Sequence, residues 1–321
     1  MISRDRVIKA LTHNITDRVP VEIDPCLPEF VSDVGYPEYA YGRGKSSGEY
    51  GKKGCYIDQW GCVWECGEDG VKGEVKTGLL ADWSALRTFK IPMRLLNDAD
   101  LSTVNDQCEK SDKFMIHMWG TEPFQRMQYL RGTENLFLDL AYGDAKVFQL
   151  MTMVHEFFLK EVDLWANTNV DGIHIEDDWG TQRALLISPA MWREYFKPLY
   201  KDYCDIAHKK GKFVVMHSDG NISEIIPDLI EIGVNAINAQ LDCMDIDHLV
   251  ASYHGKIAFW GGFDRQYLLP FGTQSDVREE VQRLGNTFFQ YGKTGVIGQC
   301  FRDKDAKEEN VRAVYDEWLK F

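Results

Sequence analysis

From about residue 113 onward the chain repeats one rhythm, a short apolar run followed by a helical pattern. The runs are "KFMIHM" (113–118), "DGIHIE" (171–176), "KFVVMH" (212–217), "NAINAQ" (235–240), "KIAFWGG" (256–262) and "TGVIGQC" (294–300). Each is too short for a buried helix and too continuously apolar for a strand with one wet face. Amphipathic stretches within 189–210, 222–232, 245–253, 275–290 and 306–320 fill the gaps. Buried strands separated by helices imply βα units and a parallel sheet. The run "RVPVEID" (18–24) fits the series, and a further strand is expected between 56 and 92. About eight strands close a (β/α)8 barrel. The doubly wound alternative expects a Gly-rich phosphate turn, and neither GxGxxG nor GxxxxGK[ST] occurs. The expectation is an α/β fold, a single TIM barrel spanning 1–321 as one domain. Residues 1–110 form an N-terminal elaboration that includes an aromatic strand or hairpin, "YIDQWGCVWE" (56–65).

Composition narrows the partners. The 321 residues are 44% apolar, with a formal charge of −14, so the chain is globular and ill suited to nucleic acid or an anionic membrane surface. No window approaches the length of a membrane span. The opening "MISRDRVIKALTHN" has no apolar h-region, which predicts a cytoplasmic protein. The eight cysteines show no paired framework, and Cys55, Cys62 and Cys66 lack the CxxC spacing of a zinc knuckle.

In a barrel of this type the site lies where strands end and βα loops begin. Those ends carry His117 and Trp119, then Glu176, Asp177 and Asp178, then His217, Ser218 and Asp219. They continue with Asn238 and Gln240, then Trp260, Phe263, Asp264 and Arg265, and finally Gln299 and Cys300. Packing does not explain apolar strands that run out into ionisable residues at one rim. The bland alternatives are a histidine bonded to a carbonyl at 117, and turn or N-cap roles for the acids of "EDD" and "SDGN". His217, Cys300, Glu176 and Asp219 together offer an imidazole, a thiolate and carboxylates, a ligand set that zinc accepts.

The same residues carry a resemblance. "IEDDWGTQRALLISP", "KFVVMHSDGNISEIIPDLIEIG", "FWGGFDRQYLLPFGT" and the closing "ENVRAVYDEW" resemble the uroporphyrinogen decarboxylase superfamily, as do "SRDRVIKALTHNITDRVPVEI" and "DQWGCVWE". The resemblance covers most of the chain, closely over 171–321, and implies one distorted (β/α)8 barrel. True decarboxylases carry an "RQAGRY"-like segment that grips propionates. Here the comparable place reads "EIDPCLPEFVSDVGYPEY", with no arginine from there until Arg43. Their "NLGHG" strand is "VIGQCFRDKD" and their "QGNLDP" region is "WGGFDR". The other branch, the corrinoid-dependent methyltransferases, holds zinc with a His-x-Cys pair and a late Cys. His217 and Cys300 match its first and last ligands, and Asp219 stands where a Cys is usual.

The resemblance therefore implies a zinc-dependent methyltransferase. It would move a methyl group between a small methoxylated, aromatic compound and the cobalamin of a separate corrinoid protein, since no DxHxxG element occurs in the chain. Glu176 or Asp219 completes the metal site. Asp177, Asp178 and His117 are catalytic candidates. Trp119, Trp179, Asn238, Gln240, Trp260 and Asp264 are candidates for contact with substrate or the corrin ring. The rivals are a metal-free decarboxylase using Asp177 or Asp178, and a non-catalytic tetrapyrrole- or corrinoid-binding protein. A homodimer is compatible with the branch.

Overall fold

The computed structural model describes residues 1–321 apart from 43–46, 118, 119, 293, 301 and 303. In chain order its strands are β1 (Val34–Gly35), β2 (Gly54–Ile57), β3 (Val63–Cys66), β4 (Phe114–Met115), β5 (Gly172–Glu176), β6 (Phe213–Ser218), β7 (Ala236–Ala239), β8 (Ala258–Trp260) and β9 (Val296–Ile297). β5 to β9 form a parallel sheet in sequence order. Beyond it the ladder thins. β5 meets the β4 region through a bridge from Ile116 to Gly172, and β4 pairs in parallel with β1. The N–H of Asp33 donates to the carbonyl of Val21 at 2.8 Å, and Val21 bridges in parallel to Gly298 after β9. Main-chain hydrogen bonds thus run round a ring of eight extended segments, an α/β fold of the TIM-barrel kind.

The second barrel strand lies at Val34–Gly35 and not between 56 and 92. Two residues flanked by turns leave almost no periodic signal. β2 and β3 instead make an antiparallel hairpin in which Tyr56 faces Trp64. The hairpin is anchored by Trp60, whose ring meets Phe157 at 4.7 Å between centroids.

Two hydrophobic clusters follow from strand alternation. One fills the space between strands and helices. The helix Gln274–Phe289 shows how: Thr273 and Asp276 form a capping box, and Val277, Val281, Leu284 and Phe288 line its buried stripe. The other cluster lies inside the ring, where Val34, Ile116, Val215, Ala236, Ala258 and Ile297 meet Val7, Ala10 and Leu11 of the helix Ser3–Leu11. That helix plugs the end opposite the rim. Alanines at two inward positions leave space above the plug. Among the described residues no helix is long and apolar enough to cross a membrane.

Asp33 fastens this arrangement. Its carboxylate is fully buried and accepts from Arg6 at 2.6 Å, from Arg18 at 2.6 and 3.0 Å, and from the N–H of Val21 at 2.9 Å. Removing one member of a buried pair strands the other charge. Asp33→Ala is expected to lower stability by about 3–5 kcal/mol, and Asp33→Asn by less, read from urea-unfolding midpoints.

Candidate functional site

Parallel register sets Glu176, His217 and Asn238 side by side on three neighbouring strands. Partners in register share a face, so these three stand above the layer of His174, Val215 and Ala236. The loops that follow β5 and β6 then lie against each other. Gly180 donates to the carbonyl of Asp219 at 3.1 Å, and Asn221 to that of Thr181 at 2.7 Å. A Cβ on Gly220, whose φ is +78°, would lie 2.3 Å from the Gly180 carbonyl carbon, so glycine is required at this crossing.

The crossing brings two acids to one imidazole. His217 Nε2 is 3.7 Å from Asp178 Oδ1 and 3.7 Å from Asp219 Oδ1. Each carboxylate is braced elsewhere. Asp178 Oδ1 accepts from the N–H of Asp219 at 2.8 Å, and Oδ2 from Gln125 Nε2 at 2.6 Å. Asp219 Oδ2 accepts from Arg265. Among the described residues, Asp178, His217 and Asp219 offer ligand atoms that all lie within 4.8 Å of one another. Glu176, just below, is pushed up to about 8 by burial first and then by Glu122, with Asp178 and Asp219 adding to the effect. A position where one more carboxylate resists ionising is one that a cation would relieve.

The opposite side of the imidazole is tied to a chain of amides. His217 Nδ1 is 2.6 Å from Asn238 Oδ1, and Asn238 Nδ2 donates to Gln299 Oε1 at 2.9 Å and to the Trp260 carbonyl at 2.7 Å. Gln299 Nε2 donates to Glu22 Oε2 at 3.1 Å, which also accepts from Trp260 Nε1 at 2.7 Å. Tyr36 donates to the other oxygen of Glu22. Burial raises the pKa of Glu22, and these three donors oppose it.

A cavity of about 580 Å³ opens beside this chain, walled by Leu27, Phe30, Val34, Trp260, Tyr315 and others. Glu22, His174, His217 and Cys300 also border it, and Lys113 is the one lysine or arginine among its described lining residues. Burial pushes the Cys300 thiol up to about 12.

The structure divides the rim residues read from sequence. His217, Asp219 and Asp178 come together, while the Cys300 sulfur and the Glu176 carboxylate fall outside that trio but near it. Asn238 and Trp260 belong to the amide chain, and Gln240 accepts from the N–H of Gly220 at 3.1 Å. Asp264 caps its own loop through the N–H groups of Gln266 and Tyr267. Asp177 is fully buried and faces the helices. It accepts from Phe124 N at 2.9 Å, Gln125 N at 2.7 Å and Tyr200 at 2.5 Å, so it starts the helix Pro123–Arg131. Trp179 stacks on Phe124 at 3.9 Å within the core. Trp119 lies outside the described residues. Glu22 was not singled out by its sequence. The available signal was an acid inside the apolar run "RVPVEID".

His117 points away from the cavity, against the Trp165 ring at 4.5 Å, and burial holds its pKa down to about 3. Nearby Glu161 accepts from Tyr41 at 2.7 Å and Thr121 at 3.2 Å, and burial raises its pKa from 4.5 to about 7. A raised acid pKa gives stability that is present below about 4.5 and lost as pH rises through about 7. Glu161→Gln is therefore expected to gain on wild type between about pH 5 and pH 8, by up to about 3 kcal/mol, in unfolding curves across that range.

The fold belongs to a recognisable class. A model of the uroporphyrinogen decarboxylase (URO-D) family matches residues 107–298. The chain is a member of that family. A search of curated proteins returns no match. Among solved structures, a methyltransferase from Methanosarcina mazei is similar over 100% of this chain and 99% of its own, with a TM-score of 0.67 and 12% identity. A D-psicose 3-epimerase aligns over 69% of this chain and 77% of its own, with a TM-score of 0.40 and 12% identity. An endo-1,4-beta-xylanase from Caldicellulosiruptor owensensis aligns over 69% and 82%, with a TM-score of 0.40 and 13% identity.

Proposed function

We propose that the protein is a metal-dependent methyltransferase that moves a methyl group from a small methoxylated aromatic compound to a separate corrinoid protein. One observation carries the reading: His217 Nε2 lies 3.7 Å from one oxygen of Asp178 and of Asp219, at the rim of a largely apolar cavity. Bonds of about 2.0–2.2 Å to a tetrahedral zinc require ligand atoms about 3.3–3.6 Å apart, so the two contacts to His217 need only a small contraction, and the carboxylates, within 4.8 Å of each other, close on the ion. Family membership and the full-length likeness to a methyltransferase fold support the same direction.

One nitrogen and two carboxylates make a harder ligand set than thiolates, suited to oxygen as the group acted on. Bound there, zinc would supply Lewis acidity to the ether oxygen as the carbon–oxygen bond breaks and its electron pair stays on that oxygen. The chain's own residues do the rest. Gln125 and Arg265 keep the two carboxylates aimed at the imidazole. Phe30, Trp260 and Tyr315 offer apolar walls to an aromatic ring and keep water from it. The methyl acceptor is cobalt on the partner protein, and the rim is where it would approach.

A decarboxylase of uroporphyrinogen fits less well. Its several carboxylates need cationic partners, and this cavity has Lys113 alone among described lysines and arginines, with Glu22 and Asp24 opposing.

Zinc is expected to bind once per chain. Asp178→Ala and Asp219→Ala should each weaken it by more than about 100-fold, beyond the usual cost of losing an outer partner, while Cys300→Ala retains it, measured by chelator competition. A methoxylated aromatic should lose its methyl group only when a reduced corrinoid protein is supplied. Enzymatic release of carbon dioxide from uroporphyrinogen would overturn the assignment.

A further inference from the structure

The amide chain behind His217 has a direction, and two groups that cannot reverse their roles impose it. An indole N–H only donates, so Glu22 must accept from Trp260 Nε1 at 2.7 Å. The same oxygen, already accepting from the indole, then draws the amide nitrogen of Gln299 at 3.1 Å and turns the Gln299 oxygen toward Asn238. Independently, the Trp260 carbonyl accepts from Asn238 Nδ2 at 2.7 Å. Both contacts send the Asn238 oxygen to His217, where it meets Nδ1 at 2.6 Å. At that separation an oxygen lone pair requires a proton on Nδ1. Gly261 makes room for the pair: at φ +84°, a Cβ there would lie 2.7 Å from Gln299 Oε1 and 3.1 Å from Asn238 Nδ2.

The other face of the ring pulls the opposite way. Two carboxylate oxygens at 3.7 Å from Nε2 favour a proton on that nitrogen. A proton on Nε2 would occupy the lone pair a metal needs. We propose that Glu22, with Trp260, acts through Gln299 and Asn238 as a polarity relay that holds neutral His217 in its Nδ1–H form against the pull of Asp178 and Asp219. Glu22 and Gln299 are then positioning residues. They act on the His217 ring through Asn238 and decide which imidazole nitrogen faces the carboxylates. The consequence for metal affinity rests on the methyltransferase reading. The tautomer itself is a property of the metal-free protein.

The test uses the full chain without metal, at a pH where the imidazole is neutral, with imidazole ¹⁵N shifts read from two-bond ¹H–¹⁵N correlations. Wild type is expected to show His217 as the Nδ1–H tautomer. Asn238→Leu, which removes the acceptor, should show the Nε2–H form and so calibrate the shift. Glu22→Leu, which removes the oxygen that accepts from both Trp260 Nε1 and Gln299 Nε2 and so frees the Gln299 amide to turn, should move the population measurably toward Nε2–H. Gln299→Leu cuts the same relay and serves if Glu22→Leu does not fold. A wild-type protein in the Nε2–H form, or a Glu22→Leu protein with the wild-type ratio, overturns the proposal. Zinc affinity measured on the same samples should fall about 10–100-fold in Glu22→Leu. If the tautomer moves as expected but wild type binds no zinc, the relay stands and the metal assignment fails.

Discussion

Closure of the strand ring depends on one buried carboxylate. The hydrogen-bond ladder is continuous from β5 to β9, with two to five residues paired at each step, but is sparse where the first segment meets its neighbours through single bridges and bonds. Asp33 compensates with a dense node of two arginines and a backbone N–H. Because Arg6 belongs to the plugging helix and Val21 to the first segment, the node joins plug, first strand and second strand at a single point. Buried ion pairs add little net stability over apolar packing, yet they are intolerant of misplacement. Here that intolerance specifies which segments meet.

Closure has a chemical consequence at the far end. The N–H of Glu22 bonds to the carbonyl of Gly298 at 2.9 Å, which sets Glu22 beside Gln299 across the seam of the barrel. The network behind His217 therefore exists only in the closed ring. Its other members sit on β6, β7, β8 and the segment after β9, so the same barrel that collects the site's donors also collects the groups that orient them.

The rim concentrates negative charge in a chain that is already acidic. Glu176 shows the strain of this arrangement, its pKa raised to about 8 by burial first and then by neighbouring acids, while Arg265 pairs with Asp219. Such a mouth is hostile to a polyanion and receptive to a cation. The apolar cavity beside it has walls suited to a different kind of guest, small and weakly charged. The two regions share His217, Asn238, Gln299 and Cys300.

Sequence periodicity by itself determined the alternation of β5 to β9 with their helices, because fully buried strands must be apolar on both faces and helices need a stripe. It also determined that ionisable residues collect at one rim, since strand ends are readable as the points where apolar runs stop. Tertiary structure alone decided which of those residues cooperate. Asp177 and Asp178 are adjacent in sequence, but alternation sends one into the helix layer and the other toward His217. His117 and His217 both end apolar runs, yet one turns outward to Trp165 and the other inward to Asn238. Val34–Gly35 and Glu22 were illegible for a related reason. A two-residue strand has no period to detect, and a lone acid in an apolar run acquires its partners only when the ring closes and brings residue 299 beside residue 22.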